Sequence, residues 1–270
     1  MGVSDLGGLL EQVDRNTQSD REAGFLESRP LFEEILARNY HVEALNHLLT
    51  KHIVDESDED IFTSGKFLVL ASFGEIQLAL IRYTADSPYI FTSPNEYMQV
   101  NVSGSSFVHD LYAAPSNWRN SSFDTAVALT RLQSTFVDDD TMVVKALDDV
   151  IDLHGFSRRP SIFIRLARAP RGDFEWAFDR RTLNARFYCT IRLAESNMCG
   201  ILDLLAQHGD ERVLGTVARL VDHPLHFVRW KAVQTVARLD REQGVQLARR
   251  SLEDRHPHVR LAAQSSLAAL

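Results

Sequence analysis

The spacing of apolar residues changes character twice along this chain. Residues 1–29 are polar and acidic with weak periodicity, which predicts a mobile lead-in or a short helix. Beyond Pro30, the residues Leu31, Phe32, Ile35, Leu36, Val42, Leu45, Leu48, Leu49 and Ile53 recur at three- and four-residue steps. That is the helical period, and a proline suits the first turn because its missing N–H would have no partner there. One amphipathic helix is therefore expected from Pro30 to Ile53, followed by a solvated acidic linker over Asp55–Asp60.

From Gly65 the step drops to two. Lys66–Phe73, Glu75–Tyr83, Glu96–Val102, Ser105–Tyr112, Ala126–Phe136, Thr141–Lys145, Ser161–Ala169, Phe174–Phe178 and Leu183–Leu193 are short, β-branched and aromatic, and often alternate. Turn-forming clusters such as Ser93-Pro94-Asn95 and Ser103-Gly104-Ser105 separate them. Many short strands between turns predict an antiparallel sandwich or barrel. Its edges need cover against pairing with other chains, and the Pro30 helix is placed to supply it.

Near Leu193 the helical period returns, over Ile201–Gln207, Glu211–Val221, Phe227–Leu239, Glu242–Leu252 and His258–Leu270. The stretch Asp222–Val233 is echoed by Asp254–Ala263: an aspartate, then His-Pro, then Val-Arg-x-x-Ala. Val228 aligns with Val259, Arg229 with Arg260, Ala232 with Ala263 and Val236 with Leu267, an offset of roughly thirty residues typical of helical repeats. Asp222 and Asp254 are expected to cap free amides at the turns, and the two arginines to reach back towards them. The expected organisation is an α+β multidomain chain. It has an acidic N-terminal segment (1–29), a helix and linker covering the barrel (30–60), an antiparallel β-barrel or jelly roll (61–196) and helical repeats (197–270).

Composition narrows the functional classes. A hydrophobic content of 44% with 24% charged residues is globular, and no apolar run approaches the ~20 residues of a membrane span. The N-terminus lacks the basic and apolar regions of a secretion signal, and Cys189 and Cys199 form neither a disulfide framework nor a metal spacing. A cytoplasmic location is the expectation. Net charge is −8, with 5 basic against 14 acidic residues over 1–60 and 10 against 8 over 201–270. Nucleic acid requires concentrated basic surface, which only the tail could offer, so that partner is disfavoured.

The D-x-x-P-x-V-R-x-x-A pattern, present twice, resembles the HEAT-repeat family over residues 200–270. That resemblance implies a curved helical stack that holds a partner protein. A stack this short must bury its open face against something, either the barrel or a second subunit against the apolar C-terminal helix. His226, Arg229, Trp230, His258 and Arg260 are the candidate partner-binding residues.

The middle region is similar to the cupin superfamily. Ile90-Phe-Thr92-Ser-Pro-Asn-Glu96, with Gly104 beyond, follows the spacing of the first cupin motif, and His154 after Asp149-Val-Ile-Asp-Leu falls where the second motif ends. The later strands, Ile162–Pro170 and Phe174–Arg181, resemble the thiol-dioxygenase branch. That family implies iron(II) held by three imidazoles. Here Ile90 and Thr92 stand at two of the histidine places; an isoleucine has no lone pair and a threonine hydroxyl is a poor ligand for such a metal. The expectation is a metal-free barrel. The alternative is a rebuilt two-histidine, one-carboxylate centre of Glu96, His109 and His154, holding iron(II) or another divalent metal as an oxygenase. Arg165 and Arg186 are the candidate ligand-binding residues, since an inward guanidinium demands an anion. The expected function is a non-catalytic adaptor whose tail docks a partner protein or a second copy of the chain.

Overall fold

The computed structural model describes residues 2–55, 67–113, 123–138, 141–172, 174–191 and 193–269. Most of the acidic linker, Trp118 and two of the three aspartates at 138–140 lie outside the described residues. Up to Cys189 the described chain forms one compact unit, and from Thr190 a second.

The first unit opens on helices, not on a loose lead-in. Helix α1 spans Gly2–Ser19 and buries Leu6, Leu10, Val13 and Thr17, one stripe at helical spacing. Short α2 (Gly24–Glu27) follows, then α3 (Arg29–Ala37) with Pro30 in its first turn. The single helix expected from Pro30 to Ile53 is two. Asn39 adopts a left-handed φ of 56°, which ends α3, and α4 (Tyr40–Asp55) starts afresh. Asparagine tolerates that conformation better than any residue except glycine, so one polar side chain breaks an otherwise continuous apolar period.

Eleven strands follow among the described residues: β1 (Phe67–Phe73), β2 (Ile76–Tyr83), β3 (Tyr89–Phe91), β4 (Tyr97–Asn101), β5 (Phe107–Ala113), β6 (Thr130–Val137), β7 (Met142–Lys145), β8 (Asp149–His154), β9 (Ser161–Arg168), β10 (Phe174–Asp179) and β11 (Ala185–Thr190). They form a five-stranded sheet of order β1-β2-β9-β4-β7, antiparallel throughout, and two three-stranded sheets, β11-β10-β3 and β6-β5-β8, in which β3 with β10, and β5 with β6 and β8, pair antiparallel. The unit is thus α+β with antiparallel sheets, as the alternation predicted.

The five-stranded sheet is covered on both faces. Leu78, Met98, Val100, Ile164 and Leu166 pack under the helices with Leu10, Phe32 and Ile35. Ala79, Ile81 and Phe163, pointing the other way, pack on Phe107 of β5 and Leu153 of β8. This explains why every residue of β4 is buried. Gly74 fixes the docking of α1: it turns the β1–β2 hairpin at φ +54°, a Cβ there would strike the Asp14 carboxylate, and that carboxylate accepts the Glu75 N–H at 3.0 Å.

The second unit contains α5 (Leu193–His208), α6 (Leu214–Arg219), α7 (His226–Leu239), α8 (Arg241–Arg250) and α9 (Pro257–Ala268). Val217, Ala232 and Val236 form its core with Leu202. Gly244 of α8 lies so close to Ala237 of α7 that a Cβ would overlap its backbone, which fixes how tightly this pair crosses.

Candidate functional site

Inside the sandwich, the five-stranded sheet presents Arg165 from β9 to a cavity of about 360 Å³. Its register places it between Ala79 of β2 and Gln99 of β4. The small Ala79 leaves room above the sheet, and Gln99 holds the guanidinium by accepting from Nε at 2.8 Å. Nη2 donates to the Tyr83 hydroxyl at 3.0 Å, and the guanidinium lies 4.1 Å over the Tyr97 ring. A cation on an aromatic face is attracted by the ring quadrupole, so Arg165 is held in one orientation by three partners. Among the described residues no carboxylate pairs with it. Burial also pushes the Tyr97 hydroxyl well up, against the pull of Arg165, so it stays protonated.

Across the cavity stand Asp152 of β8 and Arg180, joined by one short contact of 2.6 Å. The pairing is incomplete: Asp152 Oδ2 and Arg180 Nε are buried and have no hydrogen-bond partner among the described residues. Gln99 Nε2, behind Arg165, is likewise unpartnered. Buried polar groups are usually satisfied, so three orphans around one cavity mark a place prepared for a polar guest. Burial raises the Asp152 carboxyl above the usual range, against the pull of Arg180. Glu175, also lining the cavity, is raised by burial too, with Cys189 donating to it. The Cys189 thiol is itself pushed up to about 12 by burial and by that carboxylate, which leaves it a poor nucleophile.

The residues of the alternative metal centre are not brought together. Glu96 is 3% exposed, but it points to the helix-covered face, where Arg168 holds it at 3.3 Å and Arg171 at 3.7 Å. Arg168 also donates to Glu75 and to the Arg21 carbonyl, so this carboxylate ties the sheet to the helical layer. His154 lies with Nε2 3.2 Å from Asp110 Oδ2, and Asp110 also meets Arg131 and Tyr112. His109, next to Asp110 on β5 and opposite Leu153, points to the other face of that sheet by strand alternation. Glu96, His109 and His154 therefore occupy three different surroundings, and this donor set does not fit an iron(II) centre.

The two arginine candidates also part company. Arg165 faces inward, whereas Arg186 is exposed and sits 3.5 Å from Asp179. Asp152 and Arg180 went unnoticed in the sequence because strand pattern does not tell which charged residues of a turn or strand face the interior.

In the second unit the candidate partner-binding residues divide by burial. Arg229 is buried: its fork grips Asp254 at 2.6 and 2.8 Å, and Nη1 donates to the carbonyls of His223 and Pro224 at 2.9 Å. It ties the turn at His223–Pro224 to Asp254, and so is a structural element of the second unit rather than a free contact. Arg260 reaches the Asp254 carbonyl at 2.7 Å, and Asp254 Oδ1 caps the His256 N–H. Asp222 caps no amide; it pairs with Arg250 at 2.7 Å. His226 is buried, while Trp230 and His258 are half-buried. A cleft of about 390 Å³ between the turns is lined by these paired charges.

His226 lies face to face with His256, ring centroids 3.6 Å apart at 9°, and His258 stands edge-on at 5.2 Å from His256. Burial, aided by the neighbouring histidines, pushes His226 down to about 3 and His256 to about 4, so both rings are neutral at pH 7. His256 had no place among the expected contacts. The sequence clue was present in the second His-Pro dipeptide, but only stacking of the two repeats brings it against His226.

No helix among the described residues is long and apolar enough to cross a membrane. No protein-family model matches the chain. A comparison with curated proteins finds no match either. Among solved structures, the chain is similar to a hydroquinone 1,2-dioxygenase from Sphingomonas sp. TTNP3 with 4-hydroxybenzoate bound, at 11% identity over 38% of this chain and 64% of that one, with a TM-score of 0.28. It is also similar to a cupin-2 domain containing protein from Shewanella frigidimarina, at 14% identity over 46% of this chain and 99% of that one, TM-score 0.25. A cupin-superfamily sugar phosphate isomerase from Silicibacter pomeroyi overlaps at 9% identity over 47% and 76% of the two chains, TM-score 0.25. The chain thus spans less than two thirds of the dioxygenase it matches, and overlaps of this depth assign it no reaction, ligand or partner.

Proposed function

We propose that this chain is a non-catalytic adaptor. Its sandwich is a cupin-like barrel without a metal centre that binds a small carboxylate or phosphate. Its HEAT-like tail docks a protein, either a partner or a second copy of the chain. The observation that carries the first half is Arg165, held by Gln99, Tyr83 and Tyr97 at the wall of a cavity and paired with no described carboxylate. A half-buried guanidinium held at a cavity wall without a counter-ion favours an anionic guest that supplies one. The unpartnered Arg180 Nε offers that guest a second donor, and Asp152 Oδ2 an acceptor for a hydroxyl or ammonium group.

Calorimetric titration of the full chain with small mono- and dicarboxylates and phosphate esters tests this. At least one should bind, and Arg165→Gln should weaken it tenfold or more, the worth of about one charged hydrogen bond. Equal affinity in the variant, or binding by no member of the panel, would contradict the proposal.

Docking through the tail is supported by its exposed Ile201, Leu204 and Leu261. Light scattering and co-purification of the full chain should show an associated species that Leu261→Asp disrupts while leaving the circular dichroism unchanged. A strictly monomeric, partner-free chain in both forms would remove that half of the proposal.

A further inference from the structure

We infer that His226, His256 and His258 form a zinc-class metal site in the second unit, clamping one helical turn to the next. One ring nitrogen from each lies within 4.8 Å of the others, and this is the only group of three or more His, Cys, Asp or Glu so placed among the described residues. The three come from two separate turns: His226 opens α7, while His256 precedes α9 and His258 lies in its first turn. A tetrahedral zinc with nitrogen ligands at ~2.0–2.1 Å needs donors closer than this, so on binding half-buried His256 and His258 would rotate out of the stacked arrangement towards the ion.

The chemistry of the set selects the metal. Three imidazoles with no thiolate or carboxylate favour zinc, nickel or copper over magnesium and calcium, which prefer oxygen. Three protein ligands leave one tetrahedral position for water or for a side chain of a docked protein. Two features of the surroundings bear on the strength of the site. His256 Nδ1 caps helix α9 by accepting the His258 N–H at 3.2 Å, so a metal taking that nitrogen displaces this long hydrogen bond. The nearby Arg229 is already matched by Asp254. Because the ligands span both repeats, metal binding should stabilise the stack as a unit.

Titration of the full chain with Zn²⁺ against a chelating dye, with Co²⁺ absorption as a second readout, tests the site. The prediction is one metal per chain, a tetrahedral cobalt spectrum, and a thermal shift of the second unit. His256→Asn preserves a capping side chain while removing the imidazole, and His258→Ala alters a half-buried position. Each should weaken zinc at least tenfold and abolish the cobalt spectrum, with helicity intact. A wild-type chain that binds no zinc at micromolar concentration would overturn the inference. So would binding that both variants retain, since the three rings would then be packing groups whose loss moves stability alone.

Discussion

Replacing Arg229 with Met should unfold the second unit at a temperature where the first remains intact. Its side chain is 5% exposed, and Asp254 opposite is 11% exposed. Between them run two short charged bonds, and two backbone carbonyls accept from the third nitrogen. Removing one member of a buried ion pair leaves the other charge desolvated, at about 3–5 kcal/mol. A stack of this size has little margin for such a loss. Helical circular dichroism should lose its contribution from this unit at least ~10 °C earlier than in the wild type. Arg229→Lys should not rescue, because an ammonium cannot grip both oxygens of Asp254 and both carbonyls. A Met variant within about 0.5 kcal/mol of wild type would show the pair to be incidental.

Glu96→Ala should destabilise the first unit, by less than the Arg229 change costs the second, for a reason that separates two views of this residue. As a structural partner of Arg168, Glu96 joins the sheet to the helical layer, and its loss leaves that guanidinium, 4% exposed, with the more exposed Glu75 and the Arg21 carbonyl as partners. Because Glu75 still pairs with Arg168, the expected cost is about 1.5–3 kcal/mol, that of one hydrogen bond between charged groups. The double variant Glu96→Ala with Arg168→Met should recover most of it, because neither charge is then buried alone. A metal ligand would behave otherwise: the single variant would lose bound metal, and changing Arg168 would restore nothing.

The sandwich was readable from strand alternation because one face of nearly every strand is buried, and period two survives wherever that holds. The helices of the tail were readable because apolar residues there return to three- and four-residue steps. Three things were hidden. Helix α1 was masked by Gly7 and Gly8 and by a polar composition, although Leu6, Leu10, Val13 and Thr17 carry its stripe. The break at Asn39 depends on one backbone angle that apolar spacing does not encode. The sites depended on register. Arg165 and Arg186 have the same chemistry, and Glu96 stands where a family motif would place a ligand. Which of them faces the cavity was decided by pairings such as Arg165 with Ala79 and Gln99, made between strands far apart in sequence.

The direct test of the sandwich as an anion-binding module without a metal is anomalous diffraction from crystals of the full chain, soaked separately in selenate and in Mn²⁺. A selenium peak within hydrogen-bonding distance of the Arg165 guanidinium, lost in Arg165→Gln, is the predicted result. A manganese peak inside the sandwich, coordinated by His154, His109 or Glu96 and with no selenate beside Arg165, would contradict it.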